Sequence, residues 1–312
     1  MHTQQRTLLD YLLLLGIGTI WGGQFLFNAF AVESIPPATT AALRVLIGAA
    51  TLTMLAGFTR RPTRPLPAAG RKAPLSPALL YALIALFEAV LPFFLIVWGQ
   101  QHVDSGITAV MMGSVPILTM LLSLCISKHR RPGWPAMLSV LLGFAGIIIL
   151  VSPATNHGSG HLVYEGAIFL GCASFALSLN LLEHLPHDNP IRSVRTILWY
   201  AALPLAIASL LIDHPWQLTW TPGALGAVAV LGTVESGLAY LMYAALVQRR
   251  GPVFTSLSNF IVPVVGVLLG VALRGEHFGL RQASALALTI AALAVNGMPS
   301  WLRKKGINHV SP

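Results

Sequence analysis

Apolar residues run along this chain in long blocks rather than in the short alternations of a water-soluble domain. Residues 11–32, 105–127, 132–164, 251–273 and 282–302 contain no Asp, Glu, Lys or Arg. A helix needs roughly 20 apolar residues to cross the hydrocarbon core of a bilayer. Blocks of that length lie near 8–28, 37–58, 79–100, 103–126, 134–152, 164–183, 195–212, 223–246, 252–273 and 280–299. The pattern predicts an all-α polytopic membrane protein of ten spanning helices. Helices rather than a barrel follow, because a backbone polar group in lipid must find its partner inside the segment. Ala29-Phe30-Ala31 has the small-x-small form of a leader-cleavage site. The run before it is longer than a leader's apolar core and carries Trp21, Gln24 and Asn28, so it is read as the first spanning helix.

The blocks repeat. Glu88 and Glu235 lie 147 residues apart, and they stand alone as acids in the middle of long apolar spans. The same offset aligns Ala82 with Ala229, Gln101 with Gln248, Thr108 with Thr255, Val115-Pro116 with Val262-Pro263 and Leu121-Leu122 with Leu268-Leu269. The chain divides at the Gly, Ser and His-rich stretch 153–163. That division gives a first five-helix unit over 1–152, a second over 164–299 and a basic tail over 300–312. Five is odd, so the second unit must enter the membrane from the opposite side, and the repeat is expected to be inverted. Gly18-x-x-x-Gly22 and Gly266-x-x-x-Gly270 are expected to let helices approach closely.

Composition agrees with the pattern. The chain is 55% hydrophobic and 9% charged, against about 25% charged in soluble domains. Its mean hydropathy is +0.73. The net charge of +9 first suggests nucleic acid, but its distribution argues against that partner. With the N-terminus placed in the cytoplasm, 16 of the 19 Lys and Arg residues fall on or at the edge of the cytoplasmic side. Arg274 and Arg281 fall outside, and Arg44 lies within a span. This is the positive-inside bias, with both termini cytoplasmic in a cell (inner) membrane. A nucleic-acid face would need a continuous soluble basic surface. Cys125 and Cys172 both lie in apolar spans and imply neither a disulfide framework nor a metal site. The stretch Glu183-His184-x-x-His187-Asp188 lacks a helical i, i+4 histidine pair and reads as solvated loop. No phosphate-binding loop is present, which argues against ATP-driven pumping by this chain, and no cofactor is expected.

An ionisable side chain inside a bilayer is costly and is a functional candidate by default. Glu88 falls about ten residues into the third span, roughly 15 Å deep at about 1.5 Å per residue. Glu235 is at similar depth in the eighth. Paired carboxyls suit recognition of an amine or coupling to protons; the structural alternative is an acid bonded to a neighbouring carbonyl or serine. Arg44, in the second span near its extracellular side, could bind a carboxylate or pair with Glu33 or Glu165. Trp21, Gln24 and Asn28 share one face of the first helix. Thr108 with Thr255, and Met112 with Asn259, occupy matching places on the fourth and ninth spans as possible cavity linings. Pro116 and Pro263 are expected to kink those helices, either for packing or to shape a cavity or gate.

Several short motifs carry a resemblance. Trp21-Gly22, Ala42-Leu43-Arg44 and Arg274-Gly275-Glu276 resemble the "WG", "LRF" and "GE" signatures of the EamA-type branch of the drug/metabolite transporter superfamily. The first half departs from it with Lys128-His129 where "GE" is usual, and Asn28 stands where many members carry lysine. The resemblance implies a secondary transporter working by alternating access on a small metabolite, often an amino acid or derivative and often in export. Protons are a natural coupling ion for its paired acids. A permease for a cationic drug, or for a sugar-like or nucleotide-derived solute, is the second transport reading. A polytopic membrane enzyme would need a clustered nucleophile, metal or phosphate site that the sequence does not supply.

Overall fold

The computed structural model describes residues 7–58, 76–126, 134–151, 161–182, 184–185, 190–250, 258–259 and 261–296. Every regular element among them is helical. α1 is Leu8–Ala31 and α2 is Pro37–Phe58. α3 runs from Pro77 to Gly99. α4 comes in two segments, Ser105–Met112 and Val115–Ile126. α5 is Trp134–Val151 and α6 is His161–Leu182. α7 is Pro190–Ala208, extended by a π-helical turn over Ser209–Asp213. α8 starts as Pro222–Val230, widens to a π-helix over Leu231–Leu238 and finishes as Ala239–Arg250. α9 is Ile261–Arg274 and α10 is Leu280–Asn296.

Six of these stretches are long and apolar enough by themselves to cross a membrane: Leu8–Ala31, Pro37–Gly57, Pro77–Gly99, Leu162–Leu182, Ile191–Asp213 and Pro222–Tyr243. The others are shorter or interrupted. Where a uniform set of ten spans was expected, the described residues give six full-length spanning helices and several shorter ones. One reason is the break in α4 at Gly113-Ser114. Another is that residues 251–257, in the expected ninth span, lie outside the described residues, as do Lys128 and His129.

The helices start where the sequence supplies caps. Ser76 accepts from the Leu79 amide at 3.3 Å with Pro77 at the first helical position, where the missing N–H costs nothing. The Thr7 amide and hydroxyl both donate to Asp10 Oδ2 at 2.8 Å. Asp10 Oδ1 in turn takes Arg249 Nε at 2.8 Å, tying the end of α8 to the start of α1. At the opposite end of α1, Arg274 at the end of α9 pairs with Glu33 at 2.8 Å. The two ion pairs mark the two ends of the bundle.

α2 packs on α7, on α3 and on the π-helical part of α8; α3 also packs on α6; α1 packs on α8 and α9; α4 packs on α6 and α9; and α5 pairs with α10. Ala41, Val45, Ala49, Ile84, Phe93, Leu198 and Leu205 form the core between α2, α3 and α7. Large apolar residues such as Leu141, Ile148, Leu203, Leu211 and Leu268 stand exposed on the outside. Such a surface would be a liability in water and fits lipid. Gly18 and Gly22 allow the close approach of α1 and α9: a Cβ on Gly22 would lie 2.6 Å from Val265 Cβ. Gly48 does the same between α2 and α8, facing Ser236 Cβ at 2.7 Å.

α7 ends where His214 turns into the left-handed region at φ 49°. This leaves Asp213 facing the start of α2, where its Oδ2 accepts from the Thr39 amide at 2.6 Å. Thr39 Oγ1 also meets Ser209 Oγ at 2.8 Å. A carboxylate on an otherwise unpaired amide of a helix N-terminus is stabilising. Asp213→Ala is expected to destabilise the protein by about 1–2 kcal/mol, and Asp213→Asn by less, because an acceptor remains. Unfolding midpoints of the detergent-solubilised variants measure this; equal midpoints for all three proteins would refute the cap.

Candidate functional site

Both glutamates lie in π-helical stretches. Glu88 is in the middle of Leu86–Val90 within α3, and Glu235 is inside Leu231–Leu238 of α8. The offset of 147 that relates the acids thus relates the two wide turns as well. A π-turn is rare and often found at functional sites, because it displaces one residue from the regular helical face. In α3 the cause is local. Pro92 has no N–H to give to the carbonyl four residues earlier, which is that of Glu88. In α8 the π-stretch contains Gly232, Ser236 and Gly237, and α2 packs directly against it.

The carboxyls converge with groups from both halves of the chain. Glu88 Oε2 accepts from Ser178 Oγ of α6, and Glu88 Oε1 accepts from Tyr240 OH of α8 at 3.1 Å. Glu235 is 1% exposed. Its backbone carbonyl accepts from Trp21 Nε1 at 3.3 Å. Trp21 packs edge-on to Tyr240 with centroids 5.6 Å apart, and against Tyr243 at 5.3 Å. Arg44 reaches from α2 into the same cluster. Its Nε donates to Ser236 Oγ at 3.0 Å and its Nη2 to Gln24 Oε1 at 2.9 Å. Its guanidinium lies 4.0 Å over the Phe93 ring and within electrostatic range of Glu235 and Tyr240. The assembly is a buried polar cluster of two carboxyls and one guanidinium, walled by Trp21, Phe93, Tyr240 and Tyr243. It can present a fixed positive group beside a negative one to a small polar solute, which no single helix face could do.

Of the residues singled out by sequence, Glu88, Glu235, Trp21, Gln24 and Arg44 are brought together. Arg44 pairs with neither Glu33 nor Glu165; its long stem carries the charge inward instead. Asn28 goes elsewhere: its Nδ2 donates to Gln100 Oε1 at 3.0 Å, and Gln100 Nε2 donates to the Phe25 carbonyl at 2.9 Å. Gln100 is also in the wall of an open pocket with Glu33, His102 and Arg274. Thr108 is buried and bonds the Asp104 carbonyl at 3.0 Å within its own helix. Asn259 is half-buried in the short turn ahead of α9. Among the described residues neither is hydrogen-bonded to the carboxyl cluster. Pro116 and Pro263 stand second and third in the segments Val115–Ile126 and Ile261–Arg274. The chain is broken ahead of Pro116, at Gly113-Ser114, instead of being kinked at it. Ser178, Ser236, Phe93 and Tyr240 complete the cluster and were missed by sequence reasoning. Phe93 and Tyr240 carried a usable signal, since the same offset of 147 relates them. Among the described residues, no group of three or more His, Cys, Asp or Glu could hold a metal ion.

Comparison with known proteins gives the family. The model of the EamA-like transporter family matches the chain twice, over residues 8–152 and 163–298. An uncharacterized inner membrane transporter of Escherichia coli (strain K12), YedA, is 30% identical over 296 residues, covering 93% of this chain and 90% of that protein. A probable amino-acid metabolite efflux pump of Salmonella typhimurium is 24% identical, covering 92% of this chain and 94% of the pump. A solved crystal structure superposes with a TM-score of 0.66 at 18% identity, over 96% of this chain and 99% of that one, and so shares the fold. With a buried polar cluster inside apolar helices and the family's model matched in both halves, the chain is a multi-pass membrane protein that belongs to the EamA-like transporter family.

Proposed function

We propose that this protein exports a small metabolite, an amino acid or amino-acid derivative, by alternating access. In this reading the halves are inverted five-helix repeats with both termini in the cytoplasm. They rock about the cluster of Glu88, Arg44 and Glu235, and protons carried by the two acids couple the movement. The observation that carries it is the crossing of hydrogen bonds between the halves: Glu88 of the first is held by Ser178 and Tyr240 of the second. A site made by both halves changes shape when they move, which transport requires. Arg44 beside Glu235 suits a solute with both a carboxylate and an amine. The efflux pump among the relatives supports that substrate class. A cationic solute is the second reading, favoured by the excess of two carboxyls over one guanidinium.

Uptake into proteoliposomes of a panel of labelled amino acids and organic cations, with and without an imposed pH gradient, tests this. Gradient-driven movement of an amino acid, lost in Glu88→Gln and Glu235→Gln variants that insert normally, is the expected result. Wild-type rates in both variants would refute the coupling role. Turnover of a lipid-linked substrate without solute movement would refute transport itself.

A further inference from the structure

The two glutamates are related by one offset but live in different chemical surroundings. Glu88 accepts a hydroxyl hydrogen bond on each carboxyl oxygen, from Ser178 and from Tyr240. Glu88 is half-buried, whereas Glu235 is enclosed at 1% exposure, and yet Glu235 Oε2 accepts no hydrogen bond among the described residues. A buried acceptor left without a donor is costly, so such an oxygen calls for a donor from elsewhere.

The difference lies at two positions: Ser178, which the offset of 147 relates to Ala31, and an aromatic pair. Five residues after each glutamate stands an aromatic ring, Phe93 after Glu88 and Tyr240 after Glu235. Tyr240 reaches across to Glu88 and donates its hydroxyl. Phe93 lies on the other side, beneath the Arg44 guanidinium that neighbours Glu235, and has no hydroxyl to give. Arg44 directs its Nε to Ser236 and its Nη2 to Gln24, and Glu235 Oε2 receives no hydrogen bond from it.

We propose that this Phe93/Tyr240 difference divides the work of the two acids, so that Glu235 binds the amine of the solute while Glu88 ties the halves of the protein together. The first part rests on the transport reading above. The ammonium of the solute would donate to Glu235 Oε2, with Arg44 close by to meet an anionic group. Glu88, with a hydroxyl donor from the second half of the chain already on each oxygen, holds α3 to α6 and α8. Trp21 stands between the two acids, bonded to the Glu235 carbonyl and packed on Tyr240.

The purified full-length protein in proteoliposomes can be probed with dicyclohexylcarbodiimide, an apolar reagent that adds a carboxyl O–H across its N=C bond and keeps the acyl group as an N-acylurea. Mass spectrometry then reads the label at each glutamate. Wild type is expected to carry about tenfold more label on Glu235 than on Glu88, the factor that one hydrogen bond to a carboxylate commands. Phe93→Tyr should lower the label on Glu235 and Tyr240→Phe should raise it on Glu88. The double exchange should reverse the preference. Phe93→Tyr keeps the ring beneath Arg44 and Tyr240→Phe removes one oxygen, so both are compatible with folding. Methylammonium should protect Glu235 and leave Glu88 unchanged. Equal labelling of the two acids in wild type, label mainly on Glu88, or no label on either would overturn the proposal. So would a Phe93→Tyr variant labelled like wild type, or a lack of protection by methylammonium. The expected labelling in a protein that moves no solute would keep the division of the acids and remove the transport reading. Transport with the labelling reversed would do the opposite.

Discussion

Replacing Arg44 with methionine is expected to destabilise the folded protein by about 3–5 kcal/mol, the usual consequence of removing one member of a buried charged set. Arg44 is 2% exposed. Its loss would leave Ser236 and Gln24 without their donor, uncover the face of Phe93 and strand Glu235 with no neighbouring positive charge. Lysine should recover only part of the loss. A point-charge ammonium cannot bond Ser236 and Gln24 along two edges while stacking on a ring, as the planar guanidinium does. Adding Glu235→Gln to Arg44→Met should return about 1–3 kcal/mol, the range expected of coupled neighbours. Unfolding of the four proteins in mixed micelles, where a denaturing detergent is titrated against a mild one, gives the cycle. Strict additivity of the two substitutions would show that Arg44 and Glu235 act independently.

Arg44 also shows where sequence reasoning reaches and where it stops. Hydropathy placed it inside the second span, and that is where it is. The same reasoning looked for its partners among the acids at helix ends, Glu33 and Glu165, because side chains near a membrane surface tend to extend outward. The partners turn out to be Ser236 and Gln24, 192 and 20 residues away along the chain. Gln24 stood out by sharing a helix face with Trp21 and Asn28, but nothing in the sequence aimed that face at Arg44, and Ser236 has no periodicity that sets it apart within its apolar helix. Glu33 instead pairs with Arg274, which the charge sorting had correctly put at the opposite end of the bundle from Arg249.

The glutamates were legible for a different reason. A charge in lipid is rare enough to be noticed by itself, and repetition at one offset makes it a pattern. The offset pairs Phe93 with Tyr240 but could not reveal that Tyr240 and Ser178 reach Glu88, because they approach from helices whose packing is set by the whole bundle. Proline was the weaker guide. Its place in an apolar block suggested a mid-helix kink, but the chain restarts its helix just ahead of Pro116, where a missing N–H breaks no helical bond, while the stretch leading to Pro263 lies partly outside the described residues. The difference between a kink and a restart lies in hydrogen bonds one turn upstream, where Gly113 and Ser114 bond back to Val110 and Met111 at 3.0 Å.

The motif Arg274-Gly275-Glu276 was visible as a family signature, but its physical task emerges only from the fold, and that task makes a second large prediction. α9 ends at Arg274, and Gly275 turns into the left-handed region at φ 64°, a conformation that costs a residue with a Cβ roughly 1–2 kcal/mol. The turn carries Glu276 back beneath the start of α4. There its Oε1 accepts from the Ser105 amide at 2.9 Å and the Ser105 hydroxyl at 2.5 Å, and its Oε2 accepts from the Gly106 amide at 2.8 Å. Gly270 faces this carboxylate, and a Cβ there would overlap Glu276 Oε2. The second glycine of Gly266-x-x-x-Gly270 therefore makes room for an acid, while Gly266 meets Ala109 of α4. A carboxylate from one half of the chain thus supplies the cap that the N-terminus of a helix in the other half lacks. Glu276→Ala should cost about 2–4 kcal/mol, since three hydrogen bonds to a charged acceptor are lost together. Glu276→Gln should cost roughly half as much, because one carbonyl oxygen can still take one or two of the donors. Hydrogen exchange separates this local role from a general loss of stability: the amides of Ser105 and Gly106 should exchange far faster in Glu276→Ala, with those in the middle of α2 little changed. Unaltered protection at Ser105 and Gly106 would show that α4 is held by its packing on α6 and α9 alone.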